Sequence, residues 1–132
     1  MSKEIVKRYI EAINNQDLEK IAGLMTNDHE FVDAEGGRYT GKENILEGWP
    51  AYFEMFPDYE IEITDILEEN ALVGVFGYAS GTYKNLQNEN NSNHWRLPAS
   101  WKALVEDKKI KYWQVYCDYT PIHEIIRNNR DL

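Results

Sequence analysis

A change in hydrophobic period midway along the chain constrains its fold more than any other feature. Residues 3–56 carry apolar side chains mostly at helical spacing, interrupted by a short strand-like run at residues 29–34. Residues 58–119 instead form four strand-like runs separated by polar turns. Helices followed by hairpin-connected strands predict an α+β fold, in which a bent, mostly antiparallel sheet wraps around three N-terminal helices. Such a sheet forms a cone whose open mouth is a natural cavity.

The helical half divides at its polar residues. The first helix is expected over residues 3–14, with Tyr9 on its apolar stripe. Asp17 can cap a second helix over residues 18–25. Pro50 falls inside the apolar stripe of a third helix, where proline removes a backbone donor. We therefore expect the third helix to kink or restart at Pro50.

The second half reads as strands and turns. The predicted strands are residues 58–67, 71–84, 94–105 and 110–119. Residues 85–93 are polar and rich in asparagine, and the loop over residues 84–93 is predicted to be the most mobile interior segment and a candidate lid. Pro121 is predicted to start a short C-terminal helix.

The bulk properties favour a single cytoplasmic domain. The chain has 132 residues, which is the length of one domain spanning residues 1–132. Its net charge of −9 repels phosphate backbones and anionic lipids, so neither nucleic acid nor membrane is an expected partner. Its one cysteine, Cys117, excludes an intrachain disulfide, and the N-terminus lacks the apolar run of a signal peptide. Both features are typical of a cytoplasmic protein.

Metal and cofactor motifs are absent from the sequence. His29, His94 and His123 lie on separate predicted elements without metal-ligand spacing. No glycine-rich run stands between a strand and a helix, as a phosphate-binding loop requires. The sequence therefore predicts neither a metal nor an organic cofactor.

Two residues carry the argument for a functional pocket. Tyr9 occupies an inward position of an amphipathic helix, and Asp33 ends an apolar strand-like run. A buried hydroxyl facing a carboxylate pairs a donor with a proton acceptor, which is the minimum needed to move a proton beside a carbonyl. The alternatives are that Tyr9 is a core residue and that Asp33 caps the turn that follows it.

The N-terminal third of the chain resembles a known enzyme family. The run of residues 6–14, then Asp17-Leu18, Leu24-Met25 and Phe31-Val32-Asp33, resembles the opening of the ketosteroid isomerases. Residues 41–45 and Phe56-Pro57-Asp58 are more similar to the SnoaL-like polyketide cyclases. Both groups share the nuclear-transport-factor-like cone fold, so the resemblance implies that fold for nearly the whole chain.

The resemblance implies roles for individual residues. The isomerases use an aspartate base and an oxyanion hole made of a tyrosine and a protonated aspartic acid. Asp33 falls on the base position and Tyr9 on the tyrosine position. The third position falls on Ser100 or Trp101, neither of which is a carboxylic acid, and this departure argues against steroid isomerisation itself. In the cyclases an acidic residue on the last strand transfers the proton, and Asp118 looks like that position.

The last predicted strand offers two possible walls for the pocket, because side chains alternate between its faces. The isomerase analogy favours the face with Trp113, Val115, Cys117 and Tyr119, and the cyclase analogy favours the face with Tyr112, Gln114, Tyr116 and Asp118. Whichever face points outward is too aromatic for bare solvent, so a homodimer interface is expected there. The expected ligand-binding residues are Trp49, Phe53, Phe56, Ser100, Trp101, Trp113, Gln114 and Tyr116.

Three functions remain open on the sequence. The first is a cofactor-independent isomerase or cyclase acting on an apolar carbonyl compound. The second is a non-catalytic pocket for a small apolar ligand, and the third is an interaction module that uses its sheet face. The deciding observation is whether Tyr9 and Asp33 reach one unfilled cavity.

Overall fold

A computed structural model describes residues 1–84 and 91–130 and confirms the α+β class. The helices are α1 (Ser2–Asn14), α2 (Leu18–Gly23), α3 (Lys42–Met55) and α4 (Thr120–Arg130). The strands are β1 (Met25–Val32), β2 (Arg38–Thr40), β3 (Glu60–Glu69), β4 (Leu72–Thr82), β5 (His94–Glu106) and β6 (Lys109–Tyr116). A 3₁₀ turn at Asn91–Asn93 precedes β5.

The six strands form one mixed sheet in the order β2-β1-β6-β5-β4-β3. Only the β1–β6 pair is parallel among the described strands, so the expected mostly antiparallel sheet is confirmed. The short strand β2 was not predicted from the sequence, where only a turn was expected after Asp33. Its three residues are exposed, so no alternation of buried and exposed side chains marks it as a strand.

Helix α1 fills the concave face of the sheet. Its inward side chains include Tyr9 and Ile13, both buried, and the helix packs across β3, β4, β5 and β6. Asn14 fixes the end of the helix to the sheet edge, because its side-chain amide donates to Ile61 O (3.0 Å) and accepts from Ile61 N (2.8 Å). Asp17 caps α2 as expected, accepting from Lys20 N at 3.1 Å.

Helix α3 is continuous from Lys42 to Met55, so of the two expected outcomes at Pro50 the restart is wrong, and the kink stays a prediction. Pro50 is exposed, and its ring therefore lies on the solvent side of the helix. On that side, water can satisfy the carbonyl that loses its backbone partner, which lets the helix pass through the proline.

The last strand is shorter than expected. β6 ends at Tyr116, and residues 117–119 lead into α4. Helix α4 is held against the body by buried Ile122 and by the amides of Asn93 and Asn129, which pair at 3.1 Å.

The predicted mobile segment falls mostly outside the described residues. Residues 85–90 are not described, and its flanks meet where Tyr83 N donates to Asn93 O at 3.0 Å. No helix within the described ranges has both the length and the apolar character needed to cross a bilayer.

Candidate functional site

A cavity of about 410 Å³ lies between the concave face of the sheet and helices α1, α3 and α4. Half of its twenty lining residues are aromatic: Tyr9, Phe31, Tyr39, Trp49, Tyr52, Tyr59, Trp95, Trp101, Trp113 and Tyr119. Its charged lining residues are Asp33 and Glu35. Aromatic walls with few polar groups are typical of a small-molecule site.

The cavity has a buried end and an exposed end. Tyr9, Trp101 and Trp113 are each no more than 2% exposed and form the inner end. Tyr39 is 45% exposed, and with exposed Glu35 it marks the mouth. A ligand would therefore enter past the β1–β2 turn and reach toward α1.

Tyr9 stands at the inner end with its ring against Trp113, edge to face at 5.1 Å between centroids. Burial raises the pKa of Tyr9, and the nearby Trp49 indole offsets part of that rise. The Trp49 N–H is close enough for this effect but has no partner in hydrogen-bond geometry within the described residues. The Tyr9 hydroxyl is therefore neutral near pH 7 and can serve as a hydrogen-bond donor.

Asp33 both lines the cavity and organises the turn after β1. Its Oδ1 accepts from Glu35 N (2.9 Å) and Gly37 N (2.8 Å), and its Oδ2 accepts from the Tyr39 hydroxyl at 3.3 Å. A Cβ on Gly37 would lie 2.6 Å from Asp33 Oδ2, so the absence of a side chain at Gly37 makes room for the carboxylate. The turn-capping and pocket interpretations of Asp33 are thus compatible.

A group of hydroxyls and one thiol also lines the cavity. Burial raises the pKa of Tyr52, Tyr59 and Tyr119, and it also raises the pKa of the Cys117 thiol. The Tyr52 hydroxyl interacts with the Tyr119 hydroxyl, which further raises the pKa of Tyr52 and opposes the rise at Tyr119. The charges of Glu35 and Asp33 add to the rise at Tyr119, which places its hydroxyl in the field of the carboxylates.

The structure brings some of the sequence-predicted residues together and separates others. Tyr9, Asp33, Trp49, Trp101 and Trp113 line the one cavity. Phe53 and Phe56 are buried behind that lining, in contact with other aromatic rings.

The remaining predicted residues lie away from the cavity. Ser100 and Tyr116 line a shallow groove on the outer face of the sheet, and Gln114, on that same face of β6, accepts from the Tyr112 hydroxyl at 2.5 Å. Asp118 is exposed, and it accepts from Thr120 N at 3.0 Å. Hydrogen bonds from Thr120 lower the pKa of Asp118.

The structure shows which face of the last strand, and which of Ser100 and Trp101, points into the cavity. The cavity face of the last strand and its extension carries Trp113, Val115, Cys117 and Tyr119, as in the isomerase analogy. Of the pair Ser100 and Trp101, it is Trp101 that lines the cavity.

The sequence analysis did not assign several lining residues to the site, among them Phe31, Tyr39, Tyr59 and Trp95. Tyr59 was visible as an apolar position of a predicted strand. No local signal connects it to Trp95, because β3, β4 and β5 must first pair. Across residues 1–84 and 91–130, no group of three or more histidine, cysteine or acidic residues is arranged to hold a metal ion.

The arrangement has the parts for acid–base chemistry in an apolar enclosure. Neutral phenol hydroxyls can donate to an oxygen on which negative charge develops, and a carboxylate can accept a proton.

The chain matches the family model of the SnoaL-like domain over residues 6–113. No curated protein matches it at a significant level.

Solved structures share its fold at low sequence identity. A protein with a ketosteroid isomerase-like fold from Catenulispora acidiphila DSM 44928, in complex with trimethylamine, is 20% identical, with a TM-score of 0.78 over 90% of this chain and 88% of that one. A candidate SnoaL-like polyketide cyclase from Shewanella denitrificans OS-217 is 14% identical, with a TM-score of 0.81 over 96% and 97% of the two chains. An LEH-like epoxide hydrolase from M. tuberculosis is 15% identical, with a TM-score of 0.78 over 98% and 92%.

Proposed function

Because this chain belongs to the SnoaL-like domain family, we propose that it is a small-molecule pocket protein that performs acid–base chemistry on an apolar carbonyl compound. One observation carries the proposal: Tyr9 and Asp33 line the same aromatic cavity. A carboxylate and a neutral phenol in one apolar enclosure are the parts that proton transfer beside a carbonyl requires.

In the proposed reaction Asp33 removes a proton from the carbon next to the carbonyl. The electron pair of the broken C–H bond moves to the carbonyl oxygen, and the Tyr9 hydroxyl donates to the resulting enolate oxygen. In a ketone with a neighbouring C=C bond the enolate is a dienolate, and return of the proton from Asp33 to its far carbon gives isomerisation. In cyclisation the enolate carbon forms a C–C bond with a second carbonyl carbon, the π electron pair of that carbonyl moves to its oxygen, and Asp33 returns the proton to that oxygen. The chain's own side chains suffice for either outcome.

Asp33 is a better candidate for the base than Asp118. The Asp118 carboxylate is exposed and outside the cavity wall, and its hydrogen bonds from Thr120 lower its pKa. Both features weaken a base that must reach a proton on an enclosed ligand.

The proposal is tested by hydrogen exchange at carbon, which needs no knowledge of the product. A panel of apolar aromatic ketones is incubated with the protein in D₂O, and loss of the proton signal beside the carbonyl is followed by NMR. Asp33→Asn should abolish the exchange, and Tyr9→Phe should slow it by about 10²–10³-fold, as loss of one oxyanion donor does.

Asp118→Asn is the matched control for Asp33→Asn, since both remove one carboxylate. It should leave exchange unchanged. If Asp118→Asn alone stops exchange, the base has been assigned to the wrong residue. If no ketone binds and none exchanges, the proposed function is wrong.

A non-catalytic pocket is the second candidate function, and the contacts of Asp33 favour it. Two backbone N–H groups and a tyrosine hydroxyl already donate to its carboxylate, and these contacts give Asp33 a structural role in the turn that requires no catalysis. Ligands that bind to the wild-type protein without any exchange would support this second function.

We also propose a cytoplasmic homodimer. The single cysteine suits a reducing compartment, and the exposed aromatic side chains of Phe76 and Tyr116 on the outer sheet face suit a contact with a second copy.

A further inference from the structure

The charges of the cavity wall point to one chemical class of ligand. Asp33 and Glu35 line the cavity, and no lysine, arginine or histidine among the described residues lines it with them. We propose that the natural ligand is an organic cation, an apolar molecule bearing a protonated or quaternary amine, and that the amine binds at the mouth beside Asp33. This inference rests on the proposed function, because it assigns a ligand class to the same cavity.

The charge of Asp33 is not neutralised by an ion pair within the described part of the chain. The basic side chains of neighbouring segments have other partners: Arg38 pairs with Glu30, and His123 contacts Glu35. The contacts of Asp33 are hydrogen bonds from two backbone N–H groups and from a phenol, none of which carries a full positive charge. A carboxylate beside an apolar cavity without a counter-charge attracts a cationic ligand.

Aromatic rings line the cavity beside Asp33, where they can contact the same cation. Phe31 and Tyr39 stack at 5.9 Å between centroids, and the Tyr39 hydroxyl lies 3.3 Å from Asp33 Oδ2. Tyr119 lines the same cavity within the field of both carboxylates. The faces of such rings carry partial negative charge and attract a cation that lies within about 6 Å of a ring centre.

A neutral apolar ligand would use the aromatic walls equally well, but it would leave the Asp33 carboxylate without a counter-charge. An anionic ligand would be repelled by that charge and by the net charge of −9. The inner end at Tyr9 and Trp113 accepts the apolar body of the ligand.

The test compares two molecules of the same shape that differ in charge. Benzyltrimethylammonium and neopentylbenzene differ by a quaternary nitrogen in place of a quaternary carbon. All four tryptophans of the chain line the cavity, so quenching of intrinsic fluorescence reports binding of either probe. The cation should bind about tenfold more tightly than the neutral probe at physiological salt.

Two variants locate the preference. Asp33→Asn keeps the oxygen that caps the turn and removes the charge, so it should abolish most of the tenfold preference while neutral-probe affinity stays the same. Asp65→Asn makes the same change in net charge on the exposed side of β3, outside the cavity wall, and should keep the preference.

Each other result overturns the inference. Equal or tighter binding of neopentylbenzene to the unmodified protein would reject the amine and leave the apolar pocket standing. An equal loss in Asp33→Asn and Asp65→Asn would assign the preference to overall charge. Failure of both probes to bind would reject the amine, and failure of the ketone panel to bind as well would reject the proposed function itself.

Discussion

At the scale of the residue, His29 is a buried ionisable group whose environment makes stability depend on pH. Its side chain is fully buried on β1, and its Nδ1 donates to Ile110 O at 2.7 Å. Because Nδ1 must carry the proton of the neutral ring, Nε2 is unprotonated and can only accept a hydrogen bond, and it has no partner within the described residues. Burial lowers the pKa of His29, and the Ile110 hydrogen bond and the charges of Asp28 and Glu30 offset only part of this.

Because the pKa of His29 is lower in the folded protein than in the unfolded chain, acid protonates the unfolded chain first. This protonation favours the unfolded state and so lowers the free energy of unfolding. The free energy of unfolding should therefore hold steady above pH about 6.5, the ordinary histidine pKa, and lose up to about 1.4 kcal/mol per pH unit below it. Urea unfolding at about pH 7.5 and about pH 5.5 measures this loss. His29→Gln should reduce it, whereas His94→Gln, at an exposed position, should keep it. Parallel curves for wild type and His29→Gln would contradict the assignment.

Local pattern predicted the position of single residues where one element decides it. Helical period alone placed Tyr9 inward on α1, and the apolar run followed by a turn placed Asp33 at the end of β1. Tyr59 directly precedes β3, and Trp95 lies on β5; β4 pairs with both of these strands. The two ring centroids therefore come within 6.1 Å of each other only after β3, β4 and β5 have paired. No window of sequence contains that contact, so no pattern could reveal it.

At the scale of the element, the β3–β4 hairpin depends on a residue without a side chain. Gly77 pairs with Ile63 beside an irregularity in β3, between Ile63 and Asp65. A Cβ on Gly77 would lie 1.8 Å from Glu62 O, a backbone atom that cannot move without breaking the pairing. The glycine therefore lets the two backbones approach each other closely.

Gly77→Ala should lower the free energy of unfolding by roughly 2–4 kcal/mol, because the new methyl group clashes with a paired backbone. Gly74→Ala on the same strand is the matched control, since its Cβ would meet Phe76 Cε2 at an ordinary 3.7 Å. We expect it to change stability by less than about 1 kcal/mol. Equal denaturation midpoints for the two variants would refute the close approach.

Element boundaries were predictable where a local signal marks them and not elsewhere. The Asp17 side chain begins α2 as its pattern predicts. The end of β6 was placed three residues too late, because residues 117–119 continue the strand's alternation after its pairing with β5 has ended at Tyr116. Pro50 predicted a break in the helix because proline lowers helix propensity. The helix does not restart there, because the exposed position of Pro50 in α3 tolerates the missing backbone donor.

At the scale of the whole molecule, the sheet has one face around the cavity and another turned outward. Phe76, Ser100 and Tyr116 stand in register across β4, β5 and β6 on the outward face. Phe76 is 46% exposed and Tyr116 is 47% exposed, and Leu67 and Leu72 are exposed as well. The order of helices and strands predicted the cone fold, but it left open which face of β6 turns inward, because side chains alternate between the two faces of a strand.

The outward face predicts a homodimer, because contiguous exposed apolar side chains favour association with a second copy. Light scattering at micromolar concentration should give about twice the 15.5 kDa chain mass. Phe76→Glu should shift the protein toward monomer, since it places a charge at the centre of the contact on both copies. Leu18→Glu adds the same charge at a 37% exposed position on α2, away from the sheet, and should leave the dimer intact. A wild-type protein that remains monomeric at every accessible concentration would show that this face does not bind a second copy, and the aromatic row would then need another partner.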